Sequence, residues 1–513
     1  MAPHPAAMGR GARLCRVLRD ERLARRIALA ALLVLPPALL YSRGAADGLL
    51  SLIGVLFLAT RVTAGRAAPR QSWTLQWSWA LRPWHALALL FWAWQLGVTV
   101  ALGDGHQIAE GIVLVRLFVF LAALEVWVLA TPRARRWLGW VVLATALWVG
   151  IECWQQYLTG ANAFGYPRWS DGALTGPMWD PRAGPTFLLV AFPAFLPVLA
   201  PRLAGRTTTA RIAGIVGIVL MFATQVLIGQ RMPVVLMLFG LCIAALLLPR
   251  LRLPVLVAAV AGGVLAALTP ILSPPTYAKL VVHFSQQMGH FFATQYAQLF
   301  ERATAMVVAH PWTGLGFDGF RDHCMDHVYW HNLPWFAVAD PASPLGCNIH
   351  PHNYYLQVAT GSGVPGLVLF VLLGLAWLWR LGHGAGRPGQ GNQSQGNQSQ
   401  GNQSRGNQSR GNPGLRVGLF VVAVMTLWPI ASTTSLFTLP NAGWVFLAIG
   451  WGLAEARAAA TLSATAMPSP AQPSGGTSPG AVSPGIISPG IIPTESQTAT
   501  SRIFCLARFG AGL

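Results

Sequence analysis

Twelve apolar runs, separated by short polar or basic segments, occupy most of this sequence between residues 27 and 456. A transmembrane helix needs about 20 predominantly apolar residues, within a range of about 17–25. The runs approach or reach that length, so they predict an all-α polytopic membrane protein with about 12 transmembrane helices. The predicted spans are 27–41, 45–60, 84–102, 112–130, 137–154, 184–200, 212–229, 233–249, 254–273, 364–380, 417–433 and 442–456.

The charge content supports a membrane protein rather than a soluble enzyme. Only 10% of the residues are charged, against about 25% in an average soluble domain. The formal net charge of +19 would suggest nucleic-acid binding if the basic residues formed one face. Here the arginines lie between apolar runs, so we expect no nucleic-acid partner and a chain surrounded by membrane lipid.

The positions of the arginines predict the orientation of the spans. Basic residues concentrate in cytoplasmic segments of membrane proteins. With the N-terminus inside, most of the 35 Lys and Arg residues fall in inner segments, and both termini lie inside. The first run follows a basic segment and resembles a signal peptide. Because many spans follow it, we read it as an uncleaved first span, with cleavage near Ala45 as the alternative.

The predicted topology divides the chain into five segments. Two stretches within these segments lack apolar residues to bury. The repeat "QGNQS" and the later repeat "SPG" predict disorder in a linker at 381–416 and in the tail. The segments are a basic cytoplasmic N-terminus at 1–26, transmembrane helices 1–9 at 27–273, a large periplasmic loop at 274–363, transmembrane helices 10–12 at 364–456 and a cytoplasmic tail at 457–513.

The large loop at 274–363 is predicted to have a function, because loops of about 90 residues are uncommon unless they are functional. It contains eight of the twelve histidines of the chain. The stretch "YAQLFERATAMVVA" predicts a helix within the loop that ends at His310 and Pro311.

Two features of this loop leave alternatives open. His323, His327 and His331 repeat every four residues, so a helix would place them on one face, where histidines can bind zinc. We favour a solvated face over a metal site, because no glutamate completes a metallohydrolase motif. Cys324 and Cys347 either form a disulfide in an oxidising periplasm or remain two free thiols.

Two arginines on the outer side are candidates for phosphate binding. Arg231 lies in a tight turn between spans seven and eight, and Arg302 lies in the predicted loop helix. A guanidinium group binds phosphate through a planar, bidentate fork. The alternatives are a snorkelling interface residue for Arg231 and an ion pair with Glu301 for Arg302.

The stretch "HPHNYYLQVATGSGVPG" at the end of the loop contains a candidate base. A neutral histidine such as His352 accepts a proton near neutral pH. Gly361, Gly363 and Gly366 would let the backbone approach a bulky substrate. The alternative is a simple helix entry, with Pro365 in the first turn and the glycines as loop residues.

The motifs "HPWTGLGFDGF" and "HPHNYYLQVATGSGVPGLVLF" resemble the O-antigen ligase family, which includes related polysaccharide polymerases and protein O-oligosaccharyltransferases. In that family the loop ends with His, then Asn, Ser or Gln, nine residues, Gly, two residues, and Gly, Thr or Tyr. Here His352, Asn353, Gly363 and Gly366 occupy those positions. The resemblance extends over about 27–456. Many members have a glutamate where this chain has Gly361.

The resemblance implies a metal-independent glycosyltransferase of the bacterial inner membrane without a cofactor, with its site on the periplasmic face. Its donor would be a glycan on undecaprenyl diphosphate, and its acceptor a hydroxyl group, lipid A–core above all. His352 would be the catalytic base. The residues implied in substrate binding are Arg231, Arg302, His350, Asn353, Gly363 and Gly366.

Three alternatives to O-antigen ligation remain on the sequence alone. A glycan polymerase or a protein glycosyltransferase would differ only in the acceptor. A transporter or lipid flippase would place charged or broken helices near the membrane midplane, where only Arg116 and Glu125 are candidates. A non-catalytic scaffold would tolerate the loss of His352.

Overall fold

The computed structural model describes residues 20–67, 83–272, 274–282, 285–286, 289–386, 412–429 and 434–465. The predictions for the first basic residues, for most of the repeat linker and for the tail lie outside the described residues. Residues 1–464 form one compact unit. Residues 465–513 form a second unit, of which only Thr465 is described.

Fourteen helices of five or more residues account for most of the described chain, together with a four-residue helix at Pro274–Tyr277 and short 3₁₀ and π turns. In chain order they are α1 (Glu21–Tyr41), α2 (Arg43–Ala67), α3 (Pro83–Leu102), α4 (Gly105–Ala123), α5 (Pro132–Thr159), α6 (Gly184–Leu203), α7 (Thr208–Leu227), α8 (Arg231–Leu247), α9 (Arg252–Leu272), α10 (Gln295–Ala309), α11 (Gly319–His323), α12 (Tyr354–Gly382), α13 (Pro413–Thr426) and α14 (Asn441–Thr465). A π turn at Leu124–Val128 extends α4.

Ten of the described helices are long and apolar enough to cross a membrane, namely α1–α7, α9, α12 and α14. The other two predicted spans coincide with the shorter apolar helices α8, of 17 residues, and α13, of 14 residues. The prediction of an all-α, multi-pass membrane protein is therefore confirmed.

Several helices extend beyond or stop short of the predicted spans, and two of these differences have a local cause. α12 begins at Tyr354, ten residues before the predicted start, because the side-chain oxygen of Asn353 accepts hydrogen bonds from the amides of Tyr355 and Leu356 and caps the helix. α13 ends at Thr426, seven residues before the predicted end. Pro429 follows closely, and a proline disfavours helical backbone in the residue before it.

Small residues let the helices approach one another closely in the core. α8 and α13, the two short helices, pack together at Gly240, where an added Cβ would lie 2.6 Å from the sulfur of Met425 and 2.8 Å from Val421. Close approach at small residues is the usual way to pack helices where no water drives them together.

The large loop has a small core of its own. The predicted loop helix is confirmed as α10, which Thr294 caps and which ends before His310. α10 buries Leu299 and Met306 in a cluster that also holds Phe320. Because α10 also packs on α12, the loop is fixed to the helix that follows it. We call the end of the bundle where this loop lies the loop end.

Candidate active site

His352 lies where the loop enters α12, in a backbone conformation that is uncommon outside glycine. Its φ is 52°, in the left-handed region, which costs of the order of 1–3 kcal/mol and concentrates at functional sites. Its ring contacts the ring of Tyr296 at 5.6 Å and that of His350 at 4.4 Å, both edge-on. The half-buried imidazole is therefore held between side chains from both ends of the loop.

Asn348 determines which nitrogen of His352 carries the lone pair. The Asn348 side-chain oxygen accepts a hydrogen bond of 2.7 Å from the Ile349 amide, which fixes the orientation of the carboxamide. Its nitrogen therefore points to Nε2 of His352, at 3.4 Å. Since the carboxamide nitrogen of Asn348 can only donate, Nε2 is the accepting nitrogen in the neutral ring of His352.

Asn353, predicted to bind substrate, has two structural contacts. Its oxygen caps α12, and its nitrogen donates to the Pro429 carbonyl, at 2.8 Å. These bonds join the start of α12 to the end of α13. The geometry favours a role for Asn353 in positioning its neighbour His352.

The two sequence motifs meet at a break in α12. Gly363 has φ 65° and ψ −172°, which interrupts the helix. Pro365 has no amide hydrogen, so the carbonyl of Gly361 lacks its helical donor. The amide of Gly316 donates to that carbonyl at 3.1 Å. The first motif thus supplies the backbone hydrogen bond that the second motif lacks.

Two further backbone bonds complete this junction. The amide of Leu315 donates to the Thr360 carbonyl at 2.8 Å, and the amide of Val364 donates to the Pro311 carbonyl at 2.7 Å. An added Cβ on Gly363 would lie 2.7 Å from the Pro311 oxygen. The close approach predicted at Gly363 was to a substrate. In the structure the group that approaches Gly363 is the protein backbone.

Side chains of α3 form hydrogen bonds at the other side of the break. The sequence did not predict this contact. Gln95 donates to the Gly361 carbonyl at 3.1 Å, and Trp94 donates to the Ser362 carbonyl at 2.8 Å. Gly366 lies here, where an added Cβ would meet the side chain of Ser362 at 2.0 Å. Gln95 and Trp94, polar donors within an apolar span, could have indicated this contact from the sequence, because buried carbonyls need hydrogen-bond donors.

Arg231 is the first residue of α8 and is half-buried. The cap residue Gln230 makes no side-chain bond to the first turn of α8, since its oxygen accepts from the amide of Gly184 at 3.0 Å. The guanidinium interacts electrostatically with Tyr296 and Asp171. Tyr296 is therefore a neighbour of both Arg231 and His352.

Arg302 lies inside the loop core and is only 1% exposed. Its guanidinium donates to the carbonyls of Cys324 at 2.5 Å, Pro341 at 2.6 Å and Ser343 at 3.1 Å. It also lies over the ring of Trp330, at 4.8 Å. This burial is at odds with the predicted contact to a lipid-linked phosphate and favours a role in holding the loop closed.

Glu301, beside Arg302, is 1% exposed. Burial raises the pKa of Glu301 to about 7, and the charge of Arg302 opposes that rise. Arg302 in turn has its pKa lowered, chiefly by burial. The charge of Arg302 thus acts on Glu301, but the hydrogen bonds of Arg302 go to carbonyls, and the contacts of the described residues include no ion pair between these two side chains.

The histidine repeat does not form the helical face considered from the sequence. α11 ends at His323, and a separate 3₁₀ turn covers His327–Tyr329. His323 bonds Asp326 at 2.9 Å, and His331 bonds the Val328 carbonyl. Within the described ranges, no group of three or more His, Cys, Asp and Glu side chains is placed to hold a metal ion.

The alternative of paired cysteines is the one observed. Cys324 and Cys347 form a disulfide with a Cα–Cα distance of 5.1 Å. The bond joins the end of α11 to the segment just before His350 and His352. It therefore limits how far the segment that carries the candidate base can move from the loop core.

Tyr296 and Asn348 are site residues that sequence reasoning missed. Asn348 lies four residues before His352, so a search of the residues around the candidate base would have found it. Tyr296 lies at the start of α10, and only the packing of α10 on α12 brings it to His352.

Comparison with known proteins agrees with the motifs. Residues 216–371 match the family model described as O-Antigen ligase. No curated protein matches the chain. The matched region runs from α7 into α12 and is less than a third of the chain, narrower than the resemblance inferred from the sequence. It includes every residue predicted for the site. The resemblance to the O-antigen ligase family is therefore confirmed over residues 216–371.

Proposed function

We propose that this protein transfers a glycan from undecaprenyl diphosphate to a hydroxyl group of an acceptor, at the loop end of the bundle. The observation that carries the proposal is the position of Tyr296, which contacts the ring of His352 and lies within electrostatic range of Arg231. A base and a fixed cation are thus neighbours of one side chain, as a reaction with an anionic leaving group requires.

The reaction has one bond-forming and one bond-breaking event at the anomeric carbon. The acceptor hydroxyl displaces the Asn348 amide from Nε2 of His352, and Nε2 takes the hydroxyl proton as the oxygen attacks that carbon. The bond from the carbon to the phosphate oxygen breaks, and its electron pair leaves with the diphosphate. We propose inversion at the anomeric carbon, because the mechanism uses no carboxylate nucleophile.

The N-terminus of α8 would stabilise the leaving diphosphate. Its first amides point out of the helix without a side-chain cap, and a helix N-terminus favours anions. Arg231 adds a guanidinium fork at the same place. In this scheme Arg302 supports the loop from within, and Asn348 holds Nε2 of His352 in its accepting form until the acceptor hydroxyl takes the place of the Asn348 amide.

We propose the bacterial inner membrane as the location, with the loop end on the periplasmic face. Lipid A–core is the proposed acceptor, on the strength of the family match over 216–371. Lipid-linked glycan and lipid A–core both have membrane anchors, so a site beside the ends of spanning helices suits both.

The test is transfer by the full-length protein in reconstituted vesicles, with glycan on undecaprenyl diphosphate as donor and lipid A–core as acceptor. We expect a glycosylated lipid product and release of undecaprenyl diphosphate in equal amounts. Release without a glycosylated product would mean that water is the acceptor. If neither product forms with lipid A–core, a glycan or a protein acceptor, the proposal is wrong.

A deletion strain separates the acceptors in the cell. A ligase deletion should remove the lipopolysaccharide ladder and accumulate free lipid-linked glycan. A polymerase deletion should instead leave material with a single repeat. An unchanged lipopolysaccharide profile would direct the search to protein acceptors.

A further inference from the structure

A second, separate cleft opens at the loop end between α2, α4 and the segment before α11. Its volume is about 540 Å³. Six charged side chains line it: Arg43, Asp47, Glu110, Arg116, Asp318 and Arg321. None of them has a part in the proposed transfer step, and charged groups beside spanning helices generally mark a functional site.

Two of these groups form a two-pronged ion pair. Both terminal nitrogens of Arg116 lie 2.8 Å from the oxygens of Asp47, and the two side chains remain 30% and 37% exposed. Arg116 lies about 16 Å along α4 from its first residue, at the usual rise of 1.5 Å per residue. The cleft therefore brings a polar surface well below the end of the bundle.

The rim of the cleft combines carboxyl groups with a guanidinium group and an imidazole ring. Arg321 lies 3.8 Å from Asp318, and His106 lies 3.8 Å from Glu110. Burial and the charge of Glu110 raise the pKa of Asp318 to about 6.

The wall of the cleft also offers apolar rings. Phe317 and Phe437 line it, with their ring centroids 6.3 Å apart. A bare anion would meet the carboxylates as well as the guanidinium groups. A sugar suits the mixture better, because its hydroxyl groups both donate and accept while its apolar face packs on aromatic rings.

We propose that this cleft binds the head group of the acceptor, a saccharide with hydroxyl and phosphate or carboxyl groups, an inference that rests on the proposed function. The segment that lines the cleft at Phe317 and Asp318 continues into α11, where Gly319 packs against the carbonyl of Thr360. Thr360 lies about 9 Å along α12 from Tyr354 at 1.5 Å per residue. The cleft and His352 therefore lie beside the same helix.

Binding without transfer tests the cleft directly. The probe is a fluorescently labelled, deacylated and phosphorylated lipopolysaccharide core oligosaccharide, titrated against the full chain in nanodiscs without donor. Replacing Asp47→Asn together with Arg116→Gln keeps a polar pair but removes both charges. We expect about tenfold weaker binding, as the loss of charge-assisted hydrogen bonds predicts.

Two further variants make the result specific. Ala109→Trp fills the cleft from its exposed rim, leaves the ion pair intact and should also weaken binding about tenfold. The matched control is Asp326→Asn with His323→Gln, a hydrogen-bonded pair of 2.9 Å on the exposed loop surface outside the cleft. That control should bind the oligosaccharide as the wild type does.

The outcomes separate the cleft from the proposed function. If the wild type does not bind the oligosaccharide, or both cleft variants bind it normally, or the control weakens equally, the cleft proposal is overturned. Glycan transfer with an unchanged acceptor KM in the cleft variants overturns the cleft alone. Binding that the cleft variants abolish, in a protein that transfers no glycan, supports the cleft and overturns the proposed function.

Discussion

The ring of Tyr296 lies edge-on against the ring of His352, with 5.6 Å between their centroids. The two residues are at opposite ends of the loop, at the start of α10 and at the entry to α12. Their contact means that the candidate base is positioned by the folded loop rather than by α12 alone. Variants of the site and of the loop core should therefore have different consequences, which the following predictions separate.

His352→Ala should lower glycan transfer by about 10²–10⁴-fold, the usual contribution of a general base. The measurement is transfer in reconstituted vesicles with EDTA present, after confirming normal insertion. His323→Ala and His331→Ala are the controls and should retain activity, since both side chains lie on the exposed surface of the loop. Full activity of His352→Ala, or loss of wild-type activity to EDTA, would contradict a metal-free base.

Arg231→Lys should impair donor use. Lysine keeps the charge but loses the planar fork, so we expect the donor KM to rise about tenfold with a smaller change in kcat. Initial rates at several donor concentrations measure this, and the defect should ease as donor is raised. An unchanged donor KM would remove Arg231 from the diphosphate site.

Arg302→Lys should destabilise the loop without a selective effect on the donor. The three N–H groups of an ammonium diverge from one nitrogen and cannot reach the separate carbonyls that the wider, planar guanidinium spans, and a carbonyl left without a donor costs about 1–3 kcal/mol. Limited proteolysis and thermal unfolding of the purified protein should both detect the loss. A raised donor KM in a variant with normal stability would instead support the contact between Arg302 and a phosphate that the sequence predicted.

Glu301 should make the loop less stable as pH rises. Its pKa in the folded protein, about 7, lies above the ordinary value of 4.5. The folded state therefore holds the proton more tightly, and that contribution to stability is lost as pH rises from about 4.5 through 7. Glu301→Gln should raise the unfolding temperature at pH 8 by a few degrees, at about 2–4 °C per kcal/mol. Equal pH dependence in wild type and variant would refute this.

Gly363→Ala should disrupt the junction between the two motifs. The left-handed φ of 65° is unfavourable for alanine, and the new Cβ would lie 2.6 Å from the Trp312 carbonyl carbon. We expect loss of most folded protein, measured as the monodisperse fraction after purification. Gly263→Ala is the matched control, because nothing lies within 4 Å of its added Cβ. Normal yield of both variants would show that the junction tolerates strain.

The sequence by itself determined the helices and the family. Apolar runs of membrane length have few alternatives to helix, because backbone groups in lipid must bond within their own segment. The motif from His352 to Gly366 could also be recognised in the sequence. A helix cap, a break in a helix and a close backbone approach each require particular residue types. The early start of α12 was missed, although Asn353 is a typical capping residue.

Only the tertiary structure decided which groups the motif residues contact. The sequence presented Arg302 and Gly363 as groups for a substrate, and in the fold they bond or approach the protein backbone. It also could not join Tyr296 to His352, or Arg116 to Asp47, because those pairs are 56 and 69 residues apart. Local patterns fix helices through bonds between near neighbours, whereas the site depends on packing between distant segments.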